Sequence, residues 1–208
     1  MRRAVAIAFL SMVAAANPAR AEFPAAGSAW VGLGTGYGQR EELRDSGTFG
    51  LAGLDAAWRF AAGRAIVLTY EGAGGPTGVT YIPESPHFVD LDFQAVTAGP
   101  EFSAPSGECV EVFCRCAIGA GLVTSDAVRG MRYDGVWMPP LATLRETGFA
   151  ISGGLGLRVV IPPGPVGFTL ALRGAQVYGR HSSAGARGVA FGVTLYPLDR
   201  RRATPAAH

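Results

Sequence analysis

The sequence has no lysine. All 18 of its basic residues are arginine, set against 16 acidic ones. Charge is scarce overall, at 16% of 208 residues, where an ordinary domain carries about 25%. A helical coiled coil needs abundant charged helix formers and is excluded. Nucleic-acid binding needs a basic face, and none is present. Cysteine occurs only three times, and the odd count leaves at least one thiol free or intermolecular. Beyond the first 16 residues, no apolar run approaches the ~18 residues of a membrane helix. The rest of the chain is therefore either a soluble exported protein or a membrane protein built from strands.

Two things are plentiful. Apolar residues reach 49%, which excludes intrinsic disorder. Glycine accounts for 30 of the 208 residues, about twice the usual share, and without the three-residue period of collagen.

The N-terminus reads as an export signal. Arg2 and Arg3 precede an apolar run from Ala4 to Ala16, and Ala19, Arg20 and Ala21 form an A-x-A cleavage site. The expected division is a signal peptide over 1–21, a barrel over 22–198 and a polar tail over 199–208. Removing Arg2, Arg3 and Arg20 leaves a mature net charge of −1.

From Glu22 onward, a period of two predicts eight strands. They are Ala29–Gly38, Thr48–Phe60, Arg64–Gly72, Phe88–Phe102, Val110–Val123, Gly148–Ile161, Val166–Tyr178 and Gly188–Tyr196. The fourth blurs near Val96 to Pro100, where a bulge is expected; its Phe93 and Ala95 are expected to face away from Asp92. Three connections are short: Ala61 to Gly63, Ala104 to Gly107 and Pro162 to Pro165. Four are longer: Glu41 to Asp45, Gly74 to His87, Thr124 to Glu146 and Gly179 to Arg187. Short and long alternate, as in a transmembrane barrel with periplasmic turns and outer loops.

One face of each strand carries Leu, Val, Ile and aromatics; the other carries Gly, Ala, Ser, Thr and scattered charges. The second face has too few charges to coat a soluble exterior, so the apolar face is expected outward, toward lipid. The expected fold is all-β, an eight-stranded antiparallel up-and-down transmembrane barrel. Its lumen would hold Asp55, Arg59, Glu71, Asp90, Asp92, Glu111, Arg115, Arg158 and Arg173 as an ion-paired network. A narrow ion path is the alternative. Tyr37, Trp58, Phe60, Tyr70, Phe102, Tyr178 and Tyr196 are expected in interfacial girdles.

The stretch VDLDFQAVTAGPEFSAP, Val89 to Pro105, with the hairpin GFAISGGLGLRVV…GFTLALRGAQVYGR and the closing GVAFGVTLYPL, resembles the eight-stranded outer-membrane β-barrel family. The resemblance implies an outer-membrane protein in contact with lipid, monomeric, with a structural or surface-interaction role. An extracellular ligand or an envelope protein would be its partner. Such barrels commonly end on an aromatic residue; this chain continues through Pro197 to His208. The Thr124–Glu146 loop, with Arg129, Met131, Arg132, Tyr133, Trp137 and Met138, is either a contact surface or a lid.

At the end of the seventh strand, His181 and Ser183 form an H-x-S pair that is similar to the lipid A 3-O-deacylase family. That resemblance implies Ser183 as nucleophile and His181 as its base. The family's following Asn is Ala184 here, and no acid lies between Gly188 and Leu198. Glu146 is the substitute to test. Cys114 and Cys116 stand about 6.6 Å apart on one side of a strand, badly placed for a bridge. Cys109 with either of them is the more feasible disulfide. No phosphate-binding loop or zinc signature is present, so no cofactor or metal is expected.

Overall fold

The computed structural model describes residues 25–40, 43–61, 63–74, 79–82, 85–106, 109–127, 143–160 and 165–196, with side chains over 26–39, 46–60, 63–74, 92–106, 109–125, 143–160 and 165–196. The signal segment, the polar tail and the loop residues Arg129 to Met138 lie outside these.

Among the described residues nine strands are formed: β1 (Ala25–Arg40), β2 (Leu43–Ala61), β3 (Arg64–Gly74), β4 (Val79–Ile82), β5 (Ser85–Pro105), β6 (Val110–Ala127), β7 (Leu144–Val160), β8 (Val166–Tyr178) and β9 (Ser182–Leu195). Every pairing is antiparallel. β1 joins β9, β3 joins β5, and the sheet closes into an eight-stranded barrel. β4 stands apart as a short hairpin partner of the outer end of β5.

The register fixes the shape of the barrel. Residue partners lead from Ala29 through Leu54, Tyr70, Val96, Ala120, Phe149, Tyr178 and Ser183 to Gln39. One circuit thus returns to β1 ten residues further on. With eight strands, a stagger of ten tilts each strand about 43° and lets each residue climb about 2.4 Å along the axis. Phe168 and Tyr178, at the two ends of β8, therefore stand about 24 Å apart, the height of an outer-membrane apolar band.

The side chains alternate as the period of two demands. Leu33 is 71% exposed and Phe191 63%, with Leu172, Ile118 and Leu155 similarly bare on the outer wall. The lumen face collects Ala, Gly, Ser and Thr around a smaller number of large groups. Gly36 gives its space to the ring of Phe49, and Gly53 to the indole of Trp30. A Cβ at either position would strike the aromatic. At the inner turn, Gly63 takes φ of 69°, a left-handed conformation that costs little only for glycine.

Several expectations are corrected. The bulge predicted near Val96 to Pro100 is absent, because β3 and β5 keep one register through it. The irregularity lies in β2 instead, between Arg59 and Ala61. Two of the four outer connections are tight rather than long. β1 and β2 stay paired to Arg40 and Leu43, and β8 and β9 to Tyr178 and Ser183, with Gly179 N–H bonding Ser182 O at 2.7 Å. The strands themselves run on past the apolar belt: β5 has 21 residues, where about 10 suffice to cross.

Phe93 and Ala95 face inward at 2% exposure each, which turns Asp92 to the exposed outer side and removes it from the lumen. Asp90 falls outside the described side chains. Tyr196 is also inward, buried at the inner mouth rather than in a girdle.

Candidate functional site

The lumen has two layers. Register places Phe49, Leu51, Phe93, Val123 and Val177 in the outer half, and with small alanines they form one buried apolar cluster. Below them lie the charges: Asp55, Glu71, Glu101 and Glu111, with Arg59, Arg115, Arg158 and Arg173. The two signs balance among the described lumen residues.

Asp55 on β2 is the hub of the middle layer. Arg173 donates to both of its oxygens, at 3.3 and 2.6 Å. Arg115 Nη1 lies 3.0 Å from Oδ2. Ser28 and Thr69 hydroxyls donate at 3.0 Å, and Trp30 Nε1 at 3.4 Å. One carboxylate thus ties β1, β2, β3, β6 and β8 across the interior. The Arg173 guanidinium also lies 3.9 Å from the centroid of the Trp30 ring, a cation–π contact. Glu71 is buried beside Ser152 and Arg115, with Oε1 lacking a hydrogen-bond partner.

A second cluster closes the inner end. Arg158 donates to Glu101 at 3.1 and 3.3 Å and to Glu111 at 3.2 Å, and rests over Phe113. Arg59 bonds Glu111 at 2.7 Å. Between the clusters is a cavity with about 10 Å³ of room for a water centre, lined by Ser28, Asp55, Glu101, Arg115 and Arg158 among others. That is space for about one water molecule.

Seven of the nine lumen charges expected from the sequence are in this network; Asp92 is outside it and Asp90 is not described. Trp30 and Glu101 were missed. Alternation could have supplied both, since Trp30 shares parity with Gly32 to Gly38, and Glu101 shares parity with Thr97.

At the outer rim, Glu146 of β7 accepts hydrogen bonds from the backbone N–H groups of Arg180 and His181, and from Ser182 Oγ at 2.6 Å. Burial works against its charged form, but these bonds outweigh it and hold the carboxyl below its ordinary range. Glu146 is therefore close to the H-x-S segment, as a clamp on the β8–β9 turn. Ser182 turns inward and Ser183 outward, and among the described residues no hydrogen bond joins His181 to Ser183. Cys109, Cys114 and Cys116 are free thiols; Cys114 and Cys116 are exposed on the outer wall.

A closed eight-stranded barrel with an apolar wall and an interior filled by side chains is the fold of the eight-stranded outer-membrane proteins. Its wall is built for lipid, and barrels of this kind reside in the outer membrane. Among solved structures the chain is similar to Neisserial surface protein A, with a TM-score of 0.54 and 11% identity over 82% of this chain and 97% of that one. It is also similar to Ail, the attachment invasion locus protein of Yersinia pestis, in complex with the heparin analogue sucrose octasulfate, with a TM-score of 0.48 and 16% identity over 83% and 99%. No protein-family model matches the chain, and no curated protein matches it in sequence.

Proposed function

We propose that the chain is a monomeric, non-conducting outer-membrane barrel that presents its outer edge to an extracellular ligand or an envelope protein. The observation that carries this is the filled lumen: an apolar layer above a charge-balanced layer, with room for about one water between the two ion clusters. A solute path needs a wider barrel. The paired hairpins β1–β2 and β5–β6 continue beyond the belt and support a stiff outer edge, with the connection between β6 and β7 as its largest contact segment.

Two measurements test this reading. In planar bilayers the refolded protein gives no conductance above leak; steady unitary steps would overturn the non-conducting part. A photo-crosslinker at Trp137 on intact cells traps a discrete protein or glycan adduct that the same probe at Leu170 does not. Adducts to lipid alone at both positions would overturn the surface role.

An ester hydrolase at the rim is the second reading, favoured by the approach of Glu146 to residues 180–182. Its test is mass spectrometry of lipid A from cells expressing wild type, Ser183→Ala or empty vector. Loss of an acyl chain in wild type alone would establish it.

A further inference from the structure

Among the described residues, the outer face of β9 carries one charge where the strand pattern calls for an apolar residue. On β9 the outward positions run Leu195, Val193, Phe191, Val189 and then Arg187, which is exposed. Arg187 pairs with Thr35 on β1 and Gly174 on β8. By register it stands about 5 Å above Val189 and about 7 Å below Tyr178, in the upper part of the apolar belt. A cation on a lipid-facing wall is costly unless it sits near an interface and finds an anion.

No acidic residue faces outward on β7, β8, β9 or β1 among the described residues. The nearest rim carboxylate, Glu146, is occupied by the β8–β9 turn. Two further arginines, Arg145 at the outer end of β7 and Arg180 in the turn, are exposed above the same wall. They lie roughly 12 Å higher than Arg187 by register.

Between the arginines is a built platform. Tyr37 lies against Gly185, where a Cβ would meet its ring and hydroxyl at 3.1 Å, and its side chain is hydrogen-bonded to Gln176. Tyr178 stands next to it on β8. The patch therefore offers arginines below and above an aromatic and amide shelf, at the height where the outer leaflet changes from acyl chain to headgroup.

We propose that this wall of β7, β8, β9 and β1 binds the phosphate-bearing headgroup of an outer-leaflet glycolipid. Arg187 takes one phosphate from below, Arg145 and Arg180 take the upper part of the headgroup, and the sugar lies on Tyr37 and Tyr178. Arginine suits this role because its planar fork matches phosphate oxygens. The inference rests on the barrel being an outer-membrane protein and names the lipid class that such a barrel would hold.

The test is native mass spectrometry of the full mature chain refolded in phosphatidylcholine nanodiscs doped with bis-phosphorylated lipid A. Its dephosphorylated form serves as a second probe, and a soluble sulfated oligosaccharide as a competitor. Wild type retains the phosphorylated lipid. Arg187→Gln reduces occupancy about tenfold, a charge-assisted contact of about 1.4 kcal/mol being worth that factor. Arg64→Gln, at the inner border of the barrel, leaves occupancy unchanged. Equal retention by Arg187→Gln, equal retention of the dephosphorylated lipid, or displacement by the soluble oligosaccharide would each overturn the lipid site. Each variant is first checked for compact gel mobility without heating. A barrel that is compact but empty of lipid defeats this inference alone, whereas a protein that never becomes compact defeats the membrane reading beneath it.

Discussion

Replacing Asp55 by alanine is the sharpest perturbation that the structure offers. The carboxylate accepts from five side chains on four neighbouring or facing strands. Alanine leaves Arg115 and Arg173 buried without the anion they share. Removing one partner of a buried ion pair costs about 3–5 kcal/mol, because the uncompensated charge remains. Glu71 lies close enough to Arg115 to return part of this, so the expected loss is about 4 kcal/mol or slightly less. The assay is urea unfolding in lipid vesicles, followed by gel mobility and by fluorescence of the tryptophans, including Trp30 beneath Arg173. With a slope of about 2 kcal/mol per molar urea, the midpoint falls by roughly 2 M. A double variant, Asp55→Ala with Arg173→Leu, removes a stranded cation along with the anion and recovers part of the loss, a non-additivity measurable as a cycle. A midpoint shift below about 0.5 M, which corresponds to roughly 1 kcal/mol, would refute the hub role. Strict additivity in the double variant would refute the coupling between Asp55 and Arg173.

Gly53→Ala drives a methyl into the Trp30 indole and lowers stability by about 1–3 kcal/mol, the range for overpacking, read by the same urea titration. Glu146 has its carboxyl held below the ordinary range, so its contribution is present above the unfolded-state value and fades as pH falls through the folded one. Amide exchange at Arg180 and His181 therefore accelerates relative to the barrel strands as pH falls below the ordinary carboxylate range, and Glu146→Gln shows the faster exchange at neutral pH too; exchange that stays protected in the variant would remove the clamp. A membrane-impermeant maleimide labels Cys109 at the inner turn and spares Cys114 and Cys116 on the lipid wall. Labelling of all three in nanodiscs, which expose both faces to the reagent, would place that wall in water.

The eight crossing strands were legible because hydrophobicity alternates wherever one face meets lipid and the other meets small polar groups. The same rule failed in the outer half of the barrel. There the lumen itself is apolar, so Phe93 and Ala95 looked like wall residues and Asp92 like a lumen charge. Polarity distinguishes inside from outside only where the two sides differ, and register settles the rest. Phe49 and Leu51 escaped notice for the same reason. Glu101 was hidden by its Pro100 and Phe102 neighbours, both of which face outward. The tight outer turns were illegible for another reason: composition marks where a chain is able to turn, while the length of strand pairing beyond the membrane depends on partners distant in sequence. The proximity of Glu146 to residues 180–182 is a contact of that kind.

The seam between β1 and β9 joins the two ends of the described barrel, pairing Gly27 with Leu195. Pairings between distant chain positions carry the greatest closure entropy and form slowly. From Gly32 to Gly38 on one strand and from Ala184 to Ala190 on the other, above the large inward side chain of Trp30, the inward residues along this seam are only glycine and alanine. A Cβ at Gly34 would collide with the backbone of Arg187, and one at Gly188 with the backbone of Leu33. Above Trp30 the two edges are thus nearly free of side chains that could wedge them open. Filling this seam with even a few methyl groups should slow insertion more than it weakens the finished barrel, and the glycine-rich opening strand reads as a provision for closing the ring.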